Sequence, residues 1–199
     1  MNGVRGIIFD LDGTLVYLPV DWQEVIRRIE GLLGVRVESL LDLYPELWGT
    51  EKYEMISRVV EEFEMASLDG LRFLDDSPQL LKELSLKYQL GLVTFQGANV
   101  TRRILDEMGV DGLLIATRDD APTRVEQISR IISATRFKFE DFLVVGDMLN
   151  DVYSALKVGC HAALVNRRGI HDIGRIREKI TVLPNLKKLP ELLRIRRES

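Results

Sequence analysis

The segment GIIFDLDGTLV (residues 6–16) carries an apolar run straight into two carboxylates, Asp10 and Asp12, followed by Gly13 and Thr14. Two like charges about 4 Å apart repel by about 4 kcal/mol at an effective dielectric near 20. A plain turn of Asn, Ser or Gly would avoid that cost, so a metal ion or a reaction is the natural compensation. Asp10 follows a buried strand, which places it at the rim where open sheets bind ligands. With an ordinary pKa of about 3.9 it is ionised at neutral pH and needs no base to attack an electrophile. Carboxylates that become aspartyl phosphates are an established class of nucleophile. Phosphate esters are anions, so such an attack needs a cation in between, and Mg²⁺ with oxygen ligands suits it. Asp12, two residues on, is placed to protonate a leaving oxygen and then to deprotonate water. Taken alone, a D-x-D is ordinarily an Asx turn. An EF-hand loop is excluded: Leu15 stands where that loop requires Gly, and a strand rather than a helix precedes it.

A second apolar run, LVVGDMLNDV (143–152), ends in Gly146 and Asp147, with Asp151 four residues later. Gly146 permits close backbone approach. Asp147 falls at the same strand edge as Asp10, and Asp151 can fold back from the opening turn of the next helix. An Asp at a helix start is stabilising for ordinary reasons. Two strands ending in acid clusters within 199 residues argue for more: Asp10, Asp12, Asp147 and Asp151 together form an oxygen-rich site for a divalent cation.

These acids have to be positioned by a sheet. GIIF (6–9), LGLVTF (90–95), GLLIAT (112–117), FLVVGD (142–147), AALV (162–165) and ITVLP (180–184) read as strands. They lack polar alternation, as strands of a parallel sheet covered on both faces do. Helices are predicted between them. Residues 99–108 align Ile104, Leu105 and Met108 and stop at Gly109; residues 122–134 align Val125, Ile128, Ile131 and Ile132. Ser77-Pro78 gives a capped start to a helix carrying Leu80, Leu81 and Leu84. Alternation of this kind predicts an α/β fold, a doubly wound, mainly parallel Rossmann-like sheet. Residues 17–76 break the rhythm with helical periodicity and no convincing strand, Trp22, Val25, Ile26, Ile29, Leu32 and Leu33 forming one stripe and Ile56, Val59, Val60 and Phe63 another. This helical insertion leaves the sheet from its ligand-binding edge and is placed to act as a lid.

Composition narrows the class. Apolar residues make up 46% of the chain, enough for a core, and the net charge of −4 gives no reason to expect nucleic acid as a partner. No apolar run is long enough to span a membrane, and no signal peptide is expected. The single Cys160 excludes an internal disulfide, points to a reducing, cytoplasmic setting and reads as a packing residue. The terminal RIRRES reads as a solvated helix end. Neither His161 nor His171 is expected to be catalytic, and Arg27, Arg28, Lys52 and Arg58 are helix-surface cations within possible reach of a substrate.

The DLDGT turn, Thr94 at the end of a strand, and GDMLND at the end of a later one resemble the haloacid dehalogenase-like superfamily of phosphohydrolases, in its phosphoglycolate phosphatase-like branch. Residues 17–76 resemble its small helical cap, with 1–16 and 77–199 as the catalytic core. The resemblance implies Asp10 as nucleophile and Mg²⁺ ligand, and Asp12 as general acid/base that also offers a backbone carbonyl to the metal. It further implies Thr94, with Phe95 beside it, against the phosphoryl group, and Asp147 and Asp151 at the metal. The second acid, Asp12, argues against dehalogenation. The expected substrate is a small phosphorylated metabolite, phosphoglycolate being the family-based choice.

One position departs from the family pattern. The usual Lys after the third strand is missing from TRDDAPTRVEQI; Arg124 is the nearest equivalent, and Arg118 is the other candidate. A cation in a first helical turn opposes the macrodipole, which hints at a task such as neutralising phosphate and Asp10. Arg is a rigid fork where Lys is a flexible point charge. A phosphosugar mutase, and a non-catalytic phosphate-binding or regulatory protein of the same fold, are the alternative readings.

Overall fold

A computed structural model describes residues 3–167, 169 and 173–195; His171 and most of the terminal RIRRES lie outside them. Six parallel strands form the main sheet: β1 (Gly6–Asp10), β4 (Gln89–Val93), β5 (Leu114–Ala116), β6 (Phe142–Gly146), β7 (His161–Val165) and β8 (Thr181–Leu183). Their order across the sheet is β5-β4-β1-β6-β7-β8, so the chain reverses its winding direction at β1. The crevice beyond the carboxyl end of that central strand is where such sheets take ligands.

Alternation along each strand divides the core into two layers. Ile7 and Phe9 of β1, with Leu143 and Val145 of β6, face α4 (Ser77–Ser85), α5 (Ala98–Met108) and α8 (Leu189–Ile195). Ile8, Phe142 and Val144 face α6 (Arg124–Ser133) and α7 (Leu149–Val158). Both layers are apolar, which is why the strands carry no polar alternation.

The expected helical stripes recur with adjustments. Ile104, Leu105 and Met108 are buried, and Gly109 closes α5 with φ 59°. On α6 the buried face holds Ile128, Ile131 and Ile132, but also Arg124 and Gln127, while Val125 is only half-buried. Ser77 does not cap α4. Asp76 occupies that position, and the Ser77 hydroxyl is buried and donates to the Leu15 carbonyl at 2.6 Å.

Between β1 and α4 lie α1 (Trp22–Leu33), α2 (Leu40–Leu47) and α3 (Glu51–Ala66), capped by Asp21, Ser39 and Thr50. They share an apolar cluster of Val25, Ile29, Tyr44, Tyr53, Ile56 and Val60. The stripe on α1 is narrower than its periodicity predicts: Trp22 and Leu32 are exposed, because only one side of the helix meets α3. The stretch also contains strand after all. β2 (Val16–Tyr17) and β3 (Arg72–Phe73) pair antiparallel where the chain enters and leaves the helices, a two-residue ladder too short to register as periodicity.

Candidate active site

The carboxyl edge of the sheet gathers the acids. Asp10 closes β1, Asp147 follows β6, and Asp151 lies in the first turn of α7. Each offers an oxygen, and the three oxygens lie within 4.8 Å of one another. The two motifs touch directly: Thr14 Oγ1 donates to Asp147 Oδ1 at 3.1 Å across 133 residues of sequence. Two glycines make room. A Cβ on Gly13, whose φ is +81°, would sit 2.3 Å from Asp147 Oδ2. A Cβ on Gly146 would sit 2.3 Å from Asp151 Oδ2. A side chain at either position would displace a carboxylate.

Arg124 is the cation among these acids. Its Nη2 donates to Asp10 Oδ1 at 2.7 Å, and its Nε lies 2.8 Å from Asp151 Oδ1 without the alignment of a hydrogen bond. Nη1 donates to Gln127 Oε1 at 2.9 Å, and Gln127 Nε2 in turn donates to the Thr94 carbonyl at 2.9 Å. The guanidinium lies over the Phe95 ring, 4.6 Å from its centroid. Its first-turn position on α6 thus points it at the strand ends rather than at solvent. Arg118, the other candidate, is withdrawn from the acids. It is fully buried and donates to Glu64 Oε1 of α3 at 2.7 Å, to the Phe95 carbonyl at 2.8 Å and to Ser57.

Burial is the main force on the carboxyl groups. It raises Asp10 well above the ordinary carboxylate range, helped by the Asp151 charge and opposed by Arg124. Burial likewise raises Asp147, with Asp151 adding to it, and raises Asp151 against the pull of Arg124. Asp12 is pushed up to about 6 by burial, although its Oδ1 accepts the Leu18 N–H at 2.9 Å. Asp12 is not one of the three carboxylates that gather within 4.8 Å, but it lines the same cavity as Asp10 and Asp151.

The acid group fits a hard divalent cation on its own chemistry. It is made of carboxylate oxygens alone, Arg124 pairs with two of the three acids while Arg167 lowers Asp147, and Asp151 Oδ1 is buried with no hydrogen-bond partner. The ordinary reading of Asp151 also holds for its other oxygen, since Oδ2 accepts the Met148 N–H at 3.1 Å at the start of α7.

Thr94 is nearly fully buried just beyond β4; its hydroxyl donates to Gln96 Oε1 at 3.0 Å and accepts the Gln96 N–H at 3.1 Å. Above the acids opens a cavity of about 320 Å³ bounded by Asp10, Asp12, Thr94, Phe95, Arg124 and Asp151. Its far side is formed by α1 and α2. None of Arg27, Arg28, Lys52 and Arg58 lines it. His161 begins β7 and so stands at the opposite rim of the sheet, and Cys160 is a buried free thiol, pushed up to about 12 by burial.

Three residues at or near this site had no legible signal. Gln127 reads as an ordinary polar helix residue until Arg124 and Thr94 are seen on either side of it. Arg167, after β7, donates to the Gly13 carbonyl at 2.5 Å and the Thr14 carbonyl at 2.7 Å, and pairs with Asp75 at 2.6 Å, bracing the DLDGT turn. Glu64 sits inside an amphipathic helix with nothing to mark it as the partner of Arg118.

A parallel sheet with β1 at its switch point and three carboxylates at one rim defines a doubly wound, Rossmann-like α/β fold with an acidic site at its ligand edge. The chain belongs to the haloacid dehalogenase-like hydrolases, whose family model matches residues 27–165. Asp10 and Asp12 precede the matched range, and β1 joins them to it as the central strand. A haloacid dehalogenase-like hydrolase domain-containing protein of Arabidopsis thaliana is 23% identical, over 83% of this chain and 72% of its own length. Among solved structures, a phosphatase of this family from Thermococcus onnurineus superposes with a TM-score of 0.66 at 23% identity, covering 96% of this chain and 98% of that one. A Lactobacillus plantarum protein assigned as a phosphoglycolate phosphatase gives 0.69 at 18% identity, covering 95% and 99%. A Bacillus subtilis protein assigned as a hydrolase of the family, solved bound to magnesium, gives 0.64 at 16% identity, covering 96% and 98%.

Proposed function

We propose that this hydrolase is a Mg²⁺-dependent phosphatase acting on a small phosphate monoester, with residues 17–76 as its cap over a catalytic core of 1–16 and 77–199. The observation that carries the reading is the meeting of Asp10, Asp147 and Asp151 within 4.8 Å, beside Arg124 and open to a cavity. Asp10, Asp147 and Asp151 would hold Mg²⁺, with the Asp12 main-chain carbonyl as the family resemblance implies. Bound there, the ion supplies Lewis-acid stabilisation of phosphoryl charge.

In the first step an Asp10 carboxylate oxygen forms a bond to phosphorus while the bond from phosphorus to the ester oxygen breaks. Asp12, in its protonated form, gives its proton to the departing oxygen. A group that titrates at about 6 carries out both this donation and its reversal near neutral pH. In the second step Asp12 takes a proton from water, the water oxygen attacks phosphorus, and the Asp10–phosphorus ester bond breaks to release phosphate. Arg124 and Thr94 face the transferring oxygens, and Gln127 fixes the Arg124 fork. The single free cysteine supports a reducing, cytoplasmic location.

Phosphate release from a panel of small monoesters, with and without Mg²⁺, tests this. Turnover that needs Mg²⁺ and vanishes in Asp10→Asn is the expected result. Full activity in Asp10→Asn would remove the nucleophile. Isomerisation without phosphate release would identify a mutase, and phosphate binding with no turnover of any ester a non-catalytic protein.

A further inference from the structure

Resting on that reading, we propose that the phosphorylated ligand carries an uncharged, apolar organic group, aromatic or branched aliphatic, rather than a carboxylate or a sugar. The cavity has two unlike halves. Its floor holds Asp10, Asp12, Asp151 and Arg124. Its roof is Trp22 and Ile26 from α1, Leu40, Leu41 and Tyr44 from α2, and the Phe95 ring, which stacks on Tyr44 at 6.2 Å between centroids.

Charge decides against an acidic leaving group. Among the described residues lining the cavity Arg124 is the sole basic one, and it is already set against both Asp10 and Asp151. A carboxylate on the leaving group would be desolvated against aliphatic and aromatic carbon with no cation to meet it, in a site already rich in negative charge. Phosphoglycolate, the family-based expectation, therefore fits this roof poorly. A sugar would bring several hydroxyls to a roof of hydrocarbon, whereas the polar wall residues Gln96 and Asn150, the first with an unpartnered buried Nε2, can meet only one or two acceptors. An apolar group instead covers Trp22 and Leu41, which are 39% and 36% exposed, and Met148 at the mouth, 49% exposed. At about 320 Å³ the cavity is at the small end of ligand sites, room for a phosphoryl group and one ring-sized substituent.

The test separates ligand class from turnover. With Mg²⁺ present, binding of benzylphosphonate and of phosphonoacetate to the full chain is measured by calorimetry. In parallel, kcat/KM for phosphate release is measured on benzyl phosphate, phosphoglycolate and glucose 6-phosphate, all of which release an alcohol. Burial of one ring predicts roughly tenfold to a hundredfold tighter binding of benzylphosphonate, and a similar preference in kcat/KM. Leu41→Arg, at a half-exposed roof position, is expected to narrow or invert the preference. Phosphonoacetate binding as well as or better than benzylphosphonate would overturn the inference, and phosphate released from phosphoglycolate would then leave the phosphatase reading standing. Benzylphosphonate bound selectively, with no ester hydrolysed, would uphold the ligand class and overturn the phosphatase reading.

Discussion

Replacing Arg124 by Ala removes the positive charge that holds the acid group together. Its nitrogens lie 2.7 Å from Asp10 and 2.8 Å from Asp151, contacts worth about 6 kcal/mol each, gross, at an effective dielectric near 20. The three carboxylates, at up to 4.8 Å, repel by about 3.5 kcal/mol per pair on the same scale. One arginine therefore nearly balances three acids, and its removal leaves the repulsion exposed. Breaking a buried ion pair from one side costs about 3–5 kcal/mol. For a chain of this size that is a fall in Tm of about 6–20 °C. Arg124 pulls down the carboxyl pKa values of Asp10 and Asp151, so without it both rise further above their unfolded values. Groups raised in the native state make stability fall as pH climbs past the unfolded carboxylate range near 4. The loss should therefore be large at pH 7.5 and small at pH 5, and Mg²⁺ should recover part of it at pH 7.5. Thermal unfolding followed by circular dichroism, in chelator and in Mg²⁺, measures this, with Arg124→Lys restoring charge but not the fork. An equal loss at both pH values would refute the electrostatic account and assign the effect to packing on Phe95.

Other consequences are independent of that residue. In wild-type protein freed of metal, the raised carboxyl groups predict a Tm that falls from pH 5 to pH 7.5; saturating Mg²⁺ at about a hundred times its Kd should add about 2.7 kcal/mol, or about 5–11 °C, at pH 7.5 and less at pH 5, as calorimetric scans would read. Gly146→Ala should cost activity at least tenfold in phosphate release while the far-ultraviolet spectrum stays native, because its Cβ falls 2.3 Å from Asp151 Oδ2. Arg118→Met and Glu64→Leu should each destabilise by about 3–5 kcal/mol in urea melts, and together by much less than the sum, giving a coupling energy above about 2 kcal/mol.

What the sequence displayed well was whatever sits at the end of an apolar run. Asp10 and Asp147 stood out because a buried parallel strand has no local use for an acid at its carboxyl end, and Asp151 because it follows Asp147 by four residues. Arg124 stood out as the nearest equivalent of the family's missing lysine, with a first-turn place that works against the backbone dipole in support. The six sheet strands were visible for the same reason of unbroken burial. The rest depends on distances the sequence does not contain. Arg118 and Glu64 are 54 residues apart and acquire meaning only when α3 lies against the strand ends. Arg167 reaches back 154 residues to the Gly13 carbonyl. Trp22 reads as part of a helical stripe and Leu40 and Tyr44 carry no mark of their own, and only the docking of α1 and α2 brings all three to the cavity over Asp10. The β2–β3 ladder has two residues per strand, fewer than any alternation can reveal.

The buried Arg118–Glu64 pair has one more consequence. Glu64 Oε2 also accepts the Gly97 N–H, Ser57 joins both Asp119 and Arg118, and the Tyr53 hydroxyl donates to the Arg118 carbonyl, so α3 is fastened to the loops after β4 and β5 at several places. Phe95 apart, the residues that roof the cavity belong instead to α1 and α2, which carry none of these fastenings. Ligand preference in this chain can therefore be rewritten on two helices while the third keeps the floor's loops in register.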